Sequence, residues 1–248
     1  MNQNATAGTN RTGAAAAPER TRAMLTGVEE FLATSQGSAY DVPRVRVAYA
    51  REAEPVGTVP LPPTLTGKIK TAVQTVAGDH PVLFMDKLGE RLAFERSGTR
   101  FYETLASKYD AYDSFSGGPT REDLEHIQQE EFRRFTLLHA VIEQLGGDPT
   151  TVTPSADLQA TAAKGIMQVI ADPRTTLLQS LEAILVAELT DNACWEALTE
   201  LAEGAGQDGL ARQFREARAT EEEHLLKVRA WVAAGQGRAA EGGSNRGR

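Results

Sequence analysis

The stretch Ala219-Thr220-Glu221-Glu222-Glu223-His224-Leu225-Leu226-Lys227-Val228 decides the fold. Apolar residues lead into it at Leu210, Phe214 and Ala217 and continue at Leu225 and Val228, the spacing of one helical face. Between them, that face is filled by Glu221 and His224. Residues three apart on a helix lie on one side, so Glu221-x-x-His224 brings a carboxylate and an imidazole to a single place.

Three other segments repeat the pattern. Over Val82 to Lys108 the stripe Leu88, Leu92, Tyr102, Leu105 is interrupted by Glu95. Over Arg121 to Leu145, Glu131 stands four residues after Ile127 and four before Phe135, in a stripe that also holds Leu124, Leu138 and Ile142. Over Pro173 to Ala205, Leu181, Ile184 and Leu185 lead to Glu188, then to Trp195 and Leu198. Each helix, the last running from Leu210 to Ala234, thus carries one glutamate in mid-stripe. Burying one ionised carboxylate costs several kcal/mol or forces its protonation, so four in one core call for a compensating cation. A divalent metal pair would supply it. Carboxylates with an imidazole suit iron or manganese, and zinc is compatible, whereas calcium would not require the histidine.

The breaks between these helices set the topology. Ser116 to Thr120 and Gly204 to Gly209 are short, and Leu145-Gly146-Gly147-Asp148-Pro149 is a glycine stop with proline beyond. The connection from Gly147 to Asp172 is long, with room for a brief helix near Asp157 to Ile170. A short, long, short series makes two antiparallel hairpins joined by a long crossover. The expected fold is therefore all-α, a four-helix bundle over residues 82–234. Residues 18–81 read as an N-terminal helical and extended accessory segment. In it a helix starts at Pro18 with Met24, Leu25, Val28, Phe31 and Leu32 on one face, a proline-rich strap covers Asp41 to Pro63, and a short helix covers Lys68 to Val76. The tails, residues 1–17 and 235–248, lack apolar periodicity and are expected to be disordered.

Composition narrows the function classes. A formal net charge of -8 with no basic helical face argues against nucleic acid as a partner. The single cysteine, Cys194, allows no intrachain disulfide, which favours a reducing, cytoplasmic setting. No apolar run reaches the roughly 20 residues of a membrane span, and the N-terminus has neither a basic nor an apolar targeting region, so a soluble, unprocessed protein is expected.

On its mid-stripe glutamates, Glu221-x-x-His224 and the crossover, the stretch 82–234 resembles the ferritin-like superfamily of di-iron carboxylate proteins, including rubrerythrin and bacterioferritin relatives. That site takes one Glu from each of two helices and Glu-x-x-His from each of the other two. The resemblance implies Glu95 and Glu188 as terminal ligands, Glu131 and Glu221 as bridging ligands, and His224 as the imidazole ligand of one metal. Where a second histidine would follow Glu131 by three, this chain has Arg134, which does not deprotonate and cannot ligate. The implied cofactor is iron, as two ions or, given Arg134, as one, with manganese or zinc as alternatives. The implied activity is ferroxidase-like oxidation of Fe(II) by oxygen or peroxide, or storage of iron, in a homo-oligomer or larger compartment. Oxygenation of an organic substrate also occurs within the superfamily. A metal-free or single-metal scaffold, with Arg134 neutralising part of the cluster, is the rival reading from another class.

Other residues carry weaker signals. Tyr102, seven after Glu95, reads as a redox-active phenol, as one lying behind the ligands, or as plain core. Asp191, three after Glu188, reads as orienting His224 or as solvated. Cys194 reads as a small core residue, and His80, His126 and His139 as ordinary.

Overall fold

The computed structural model describes residues 18–30, 41–54, 56, 57, 59 and 81–244. Among these, seven helices and no strand occur, so the protein is all-α as its composition requires. The chain divides into two units, residues 2–54 and 55–248.

The first unit holds α1 (Pro18–Glu30) and α2 (Asp41–Glu52). Helix α1 starts at Pro18 as expected, with Glu19 in its first turn. Helix α2 replaces the first half of the expected strap. The reason is positional: Pro43 lies in the first turn, where the backbone N–H has no intrahelical acceptor, and Arg44 to Arg51 contains neither Pro nor Gly. The short helix expected at Lys68 to Val76 lies outside the described residues, as do residues 1–17.

The second unit holds α3 (Pro81–Tyr112), α4 (Arg121–Gln144), α5 (Pro154–Ala171), α6 (Leu177–Gly204) and α7 (Asp208–Ser244). Helix α7 runs ten residues beyond the expected stop at Ala234. Gly235, read in sequence as the start of a loose tail, is buried instead, and a Cβ there would stand 2.5 Å from a Leu178 methyl and 3.0 Å from the Phe115 ring. Its glycine serves close approach between helices rather than chain termination.

The helix ends follow local chemistry. Thr120 and Asp123 form a reciprocal capping box at α4, and Thr176 and Gln179 form another at α6. Helices α4 and α6 each close with a Schellman arrangement: Gly146 N–H donates to Glu143 O and Gly147 N–H to Ile142 O, while Gly206 N–H donates to Glu203 O and Gln207 N–H to Ala202 O. Gly146 (φ 84°) and Gly206 (φ 66°) occupy the left-handed position that this closure needs.

Contacts along the helices give their directions. Trp195 reaches Glu95 and Tyr102 reaches Glu188, so α6 runs opposite to α3. At the start of α5, Ser155 N–H and Oγ donate to the Asp86 carboxylate at 2.9 and 2.7 Å. Beyond its far end, Lys108 Nζ donates to Asp172 O at 2.6 Å and Thr175 O at 2.9 Å. Helix α5 therefore travels alongside α3 in the same direction, and carries the chain from the end of α4 to the start of α6. It is the helix expected near Asp157 to Ile170, begun three residues earlier and ended one later.

The buried apolar residues form two clusters. One is built around Phe101, Leu105, Leu124, Ile127, Leu181, Ile184 and Val228, the other around Leu88, Leu138, Trp195, Leu198 and Phe214. On α4, α6 and α7 the buried residues between the two clusters are ionisable, and on α3 Arg91 and Glu95 flank the point where the clusters meet. That layer is the candidate site.

Candidate metal centre

Every mid-stripe acid is buried: Glu95, Glu131, Glu188, Glu221 and His224 are at most 3% exposed. Asp191, Arg91, Arg134 and Tyr102 are buried among them. Such a layer survives in a core only if nearly every charge meets an opposite charge or a hydrogen-bond donor.

Many do. Arg91 donates to Glu95 Oε1 at 2.8 Å and pairs with Asp191, and Trp195 Nε1 donates to the same Glu95 oxygen at 3.0 Å. The Tyr102 hydroxyl donates to Glu188 Oε1. Arg134 Nε lies 2.7 Å from Glu221 Oε1, in ion-pair range but without hydrogen-bond alignment, and its Nη1 lies 3.7 Å from Glu131 Oε1. Asn192 Nδ2 donates to the backbone carbonyls of Glu188 and Glu221, each at 3.0 Å, and ties α6 to α7 at the level of the site.

His224 has the most informative geometry. Its Nε2 lies 2.6 Å from Glu130 Oε2, and its Nδ1 lies 3.4 Å from Glu221 Oε2 and 3.7 Å from Glu131 Oε1 with no hydrogen-bond partner. With Glu130 accepting an Nε2 proton, the Nδ1 lone pair faces two carboxylates. Lone pairs facing one another repel unless a proton or a metal ion lies between them. An imidazole held by a carboxylate through one nitrogen, with the other nitrogen free, is the arrangement of metal-ligating histidines. Donor atoms each about 2.1 Å from a shared ion, and 90 to 110° apart, are separated by about 3.0–3.4 Å, close to the spacings seen here.

Two groups of side chains each place one ligating atom per residue within 4.8 Å of the others: Glu131, Glu221 and His224, and Glu95, Glu131, Asp191 and Glu221. Glu188 belongs to neither, and its nearest polar partner is Tyr102. Asp191 does not orient His224, the role considered from sequence. It pairs with Arg91, and Glu130 holds the histidine. Arg134 lies on the buried face of α4 in the place taken in sequence for Phe135, which is only partly buried. Cys194 is partly buried and in neither group.

Sequence reading missed Arg91, Glu130 and Gly98. Arg91 stands three after Leu88 and four before Glu95, which is a stripe position. Glu130 stands four after His126, within ion-pair reach at 3.4 Å. A Cβ on Gly98 would fall 2.1 Å from Glu131 Oε2, so glycine there gives the carboxylate its room.

The electrostatics follow from burial. Burial, then the charges of Asp191 and Glu131, push the Glu95 and Glu221 carboxyls well above the usual range, with Arg134 opposing at both. Burial and Glu131 push Glu188 up against the Tyr102 hydrogen bond, and burial raises Asp191 against Arg91. At Glu130, burial is outweighed by the hydrogen bond with His224, which holds that carboxyl low. At Arg91, burial opposes the charge, but Asp191 and Glu95 outweigh it and keep the guanidinium protonated.

A carboxyl raised in the folded state contributes stability that is fully present below its unfolded value and lost as pH rises through the folded one. Without metal, Glu95, Glu188, Glu221 and Asp191 should therefore make the protein less stable at about pH 8 than at about pH 5. The lowered carboxyls Asp86, Asp123 and Glu130 act in the opposite sense, but only where the pH falls below about 4. Melting temperatures recorded across this range with a chelator should fall with rising pH. A flat profile would show that the acids stay ionised throughout, balanced by the two arginines.

Comparison with family models, with curated proteins and with solved structures finds no match to this chain.

Proposed function

We propose that this chain is a ferritin-like metal-binding protein that holds iron at Glu131, Glu221 and His224 and oxidises or stores it. The carrying observation is the free Nδ1 of His224, buried against two carboxylates while Glu130 engages the other ring nitrogen. The donor set fits: two hard oxygen ligands and one imidazole suit iron or manganese. Helix α5, running alongside α3 within the connection between two hairpins, agrees with a ferritin-like connectivity. Bound iron would supply Lewis acidity and one-electron redox chemistry. The chain's own groups do the rest. Glu131 and Glu221 bring negative charge, Glu130 fixes the ring of His224, and Tyr102 holds a proton 86 positions from Glu188 in sequence but bonded to it in space. No helix among the described residues is long and apolar enough to cross a membrane.

A second reading, a metal-free helical scaffold, is favoured by one observation: Arg91 and Arg134 already compensate part of the buried charge. The Glu131→Ala variant separates the two. In the iron reading, the wild type consumes Fe(II) in air faster than buffer does and the variant loses that excess. In the scaffold reading, neither protein alters Fe(II) oxidation, and the variant melts higher because a repelling carboxylate has gone.

A further inference from the structure

The second group of acids, Glu95, Glu131, Asp191 and Glu221, has no imidazole and is flanked by two guanidiniums. We propose that the guanidinium of Arg91 fills the second cation position of this centre, so that the layer takes one metal ion beside a fixed organic cation instead of a metal pair. The inference rests on the metal reading of Glu131, Glu221 and His224, and adds what sets the stoichiometry.

Two observations carry it. Arg91 is about 1% exposed and bonds both Glu95 and Asp191, the two acids of the second group that are absent from the first. An ion taking those two carboxylates would have to share them with a cation already bonded to both. Arg91 is also fixed in place: its guanidinium carbon stands 4.6 Å over the Phe94 ring and 5.6 Å over Trp195, whose indole N–H donates to the same Glu95 oxygen. Guanidinium is a planar, permanently charged donor that matches carboxylates, and it cannot leave the site as an ion can.

The test uses the full chain loaded with Mn(II), with metal per chain measured by native mass spectrometry and the spin state by electron paramagnetic resonance. The wild type is expected to bind one Mn(II) and give an uncoupled six-line signal. Arg91→Met, which keeps the apolar stem and removes the charge, is expected to bind two and give a spin-coupled spectrum. Arg91→Lys, which keeps the charge, is expected to stay at one. Two Mn(II) in the wild type would overturn the inference and leave the metal reading standing. One in Arg91→Met would also overturn it, because some other group would then set the limit. No Mn(II) in the wild type would overturn the metal reading and the inference with it. Where Arg91→Met does not fold, the wild-type spectrum decides: the uncoupled signal supports the inference and a coupled pair overturns it.

Discussion

His224→Ala is expected to weaken Mn(II) or Fe(II) binding more than a hundredfold, and Glu130→Gln by about tenfold to a hundredfold. The two effects differ in size because the residues act differently. Among the described residues, Nδ1 of His224 is the metal-ligating nitrogen that faces Glu131 and Glu221, at 3.7 and 3.4 Å, and the alanine variant leaves carboxylates as the ligands there. Glu130 does not face that cluster. It engages Nε2 at 2.6 Å, fixes which ring nitrogen carries the proton, and makes the imidazole more electron-rich. Glutamine retains a hydrogen-bond acceptor but loses the charge, so it should keep the ring in place while lowering its basicity. Calorimetric titration under anaerobic conditions reads both. Equal affinity in the wild type and His224→Ala would remove the histidine from the metal site.

Arg91→Ala should destabilise the fold by about 3–5 kcal/mol, the cost of removing one partner from a buried ion pair and leaving the other charge behind. For a domain of this size the melting temperature would fall by roughly 6 to 20 °C. Glu95 and Asp191 both lose their cation, and the stacking over Phe94 and Trp195 goes with it. The loss should shrink toward acid pH, where both acids take up protons. Arg174→Ala is the control. Its pair with Asp172 lies at the surface, with the arginine side chain 87% exposed, where solvent screens the attraction and its removal costs little. Denaturant unfolding of both variants, with chelator present, checks the contrast. Similar losses in the two would mean that Arg91 is not what holds the acid layer in the core.

The all-α class and the charged layer were legible because an acid at a position that an apolar period requires is a conflict visible in one dimension. Glu95, Glu131, Glu188, Glu221 and His224 each stand at such a position, and all are buried. Arg91 was not legible, because Leu92 beside it also satisfies the stripe and an arginine on a helix ordinarily extends its charged end to water. Whether Asp191 faced solvent or core depended on a partner 100 residues away, which spacing alone does not reveal. Glu130 was hidden beside Glu131, since only the approach of α7 singles it out.

Helix extents failed for a related reason. Five prolines between Asp41 and Pro63 suggested an extended strap, but only Pro43 falls within α2, and it sits in the first turn. Gly235 opens the stretch expected as a disordered tail, yet it is the point where α7 approaches Leu178 and Phe115. A glycine needed for helix contact and one needed for chain reversal look the same in sequence.

The most direct test of the metal centre is anomalous diffraction at the iron edge from crystals of the iron-loaded chain. A peak is expected roughly 2.1 Å from His224 Nδ1, the length of a metal–imidazole bond, between Glu131 and Glu221. No peak at that position in crystals grown with excess Fe(II), or a peak that leaves His224 unligated, would contradict it.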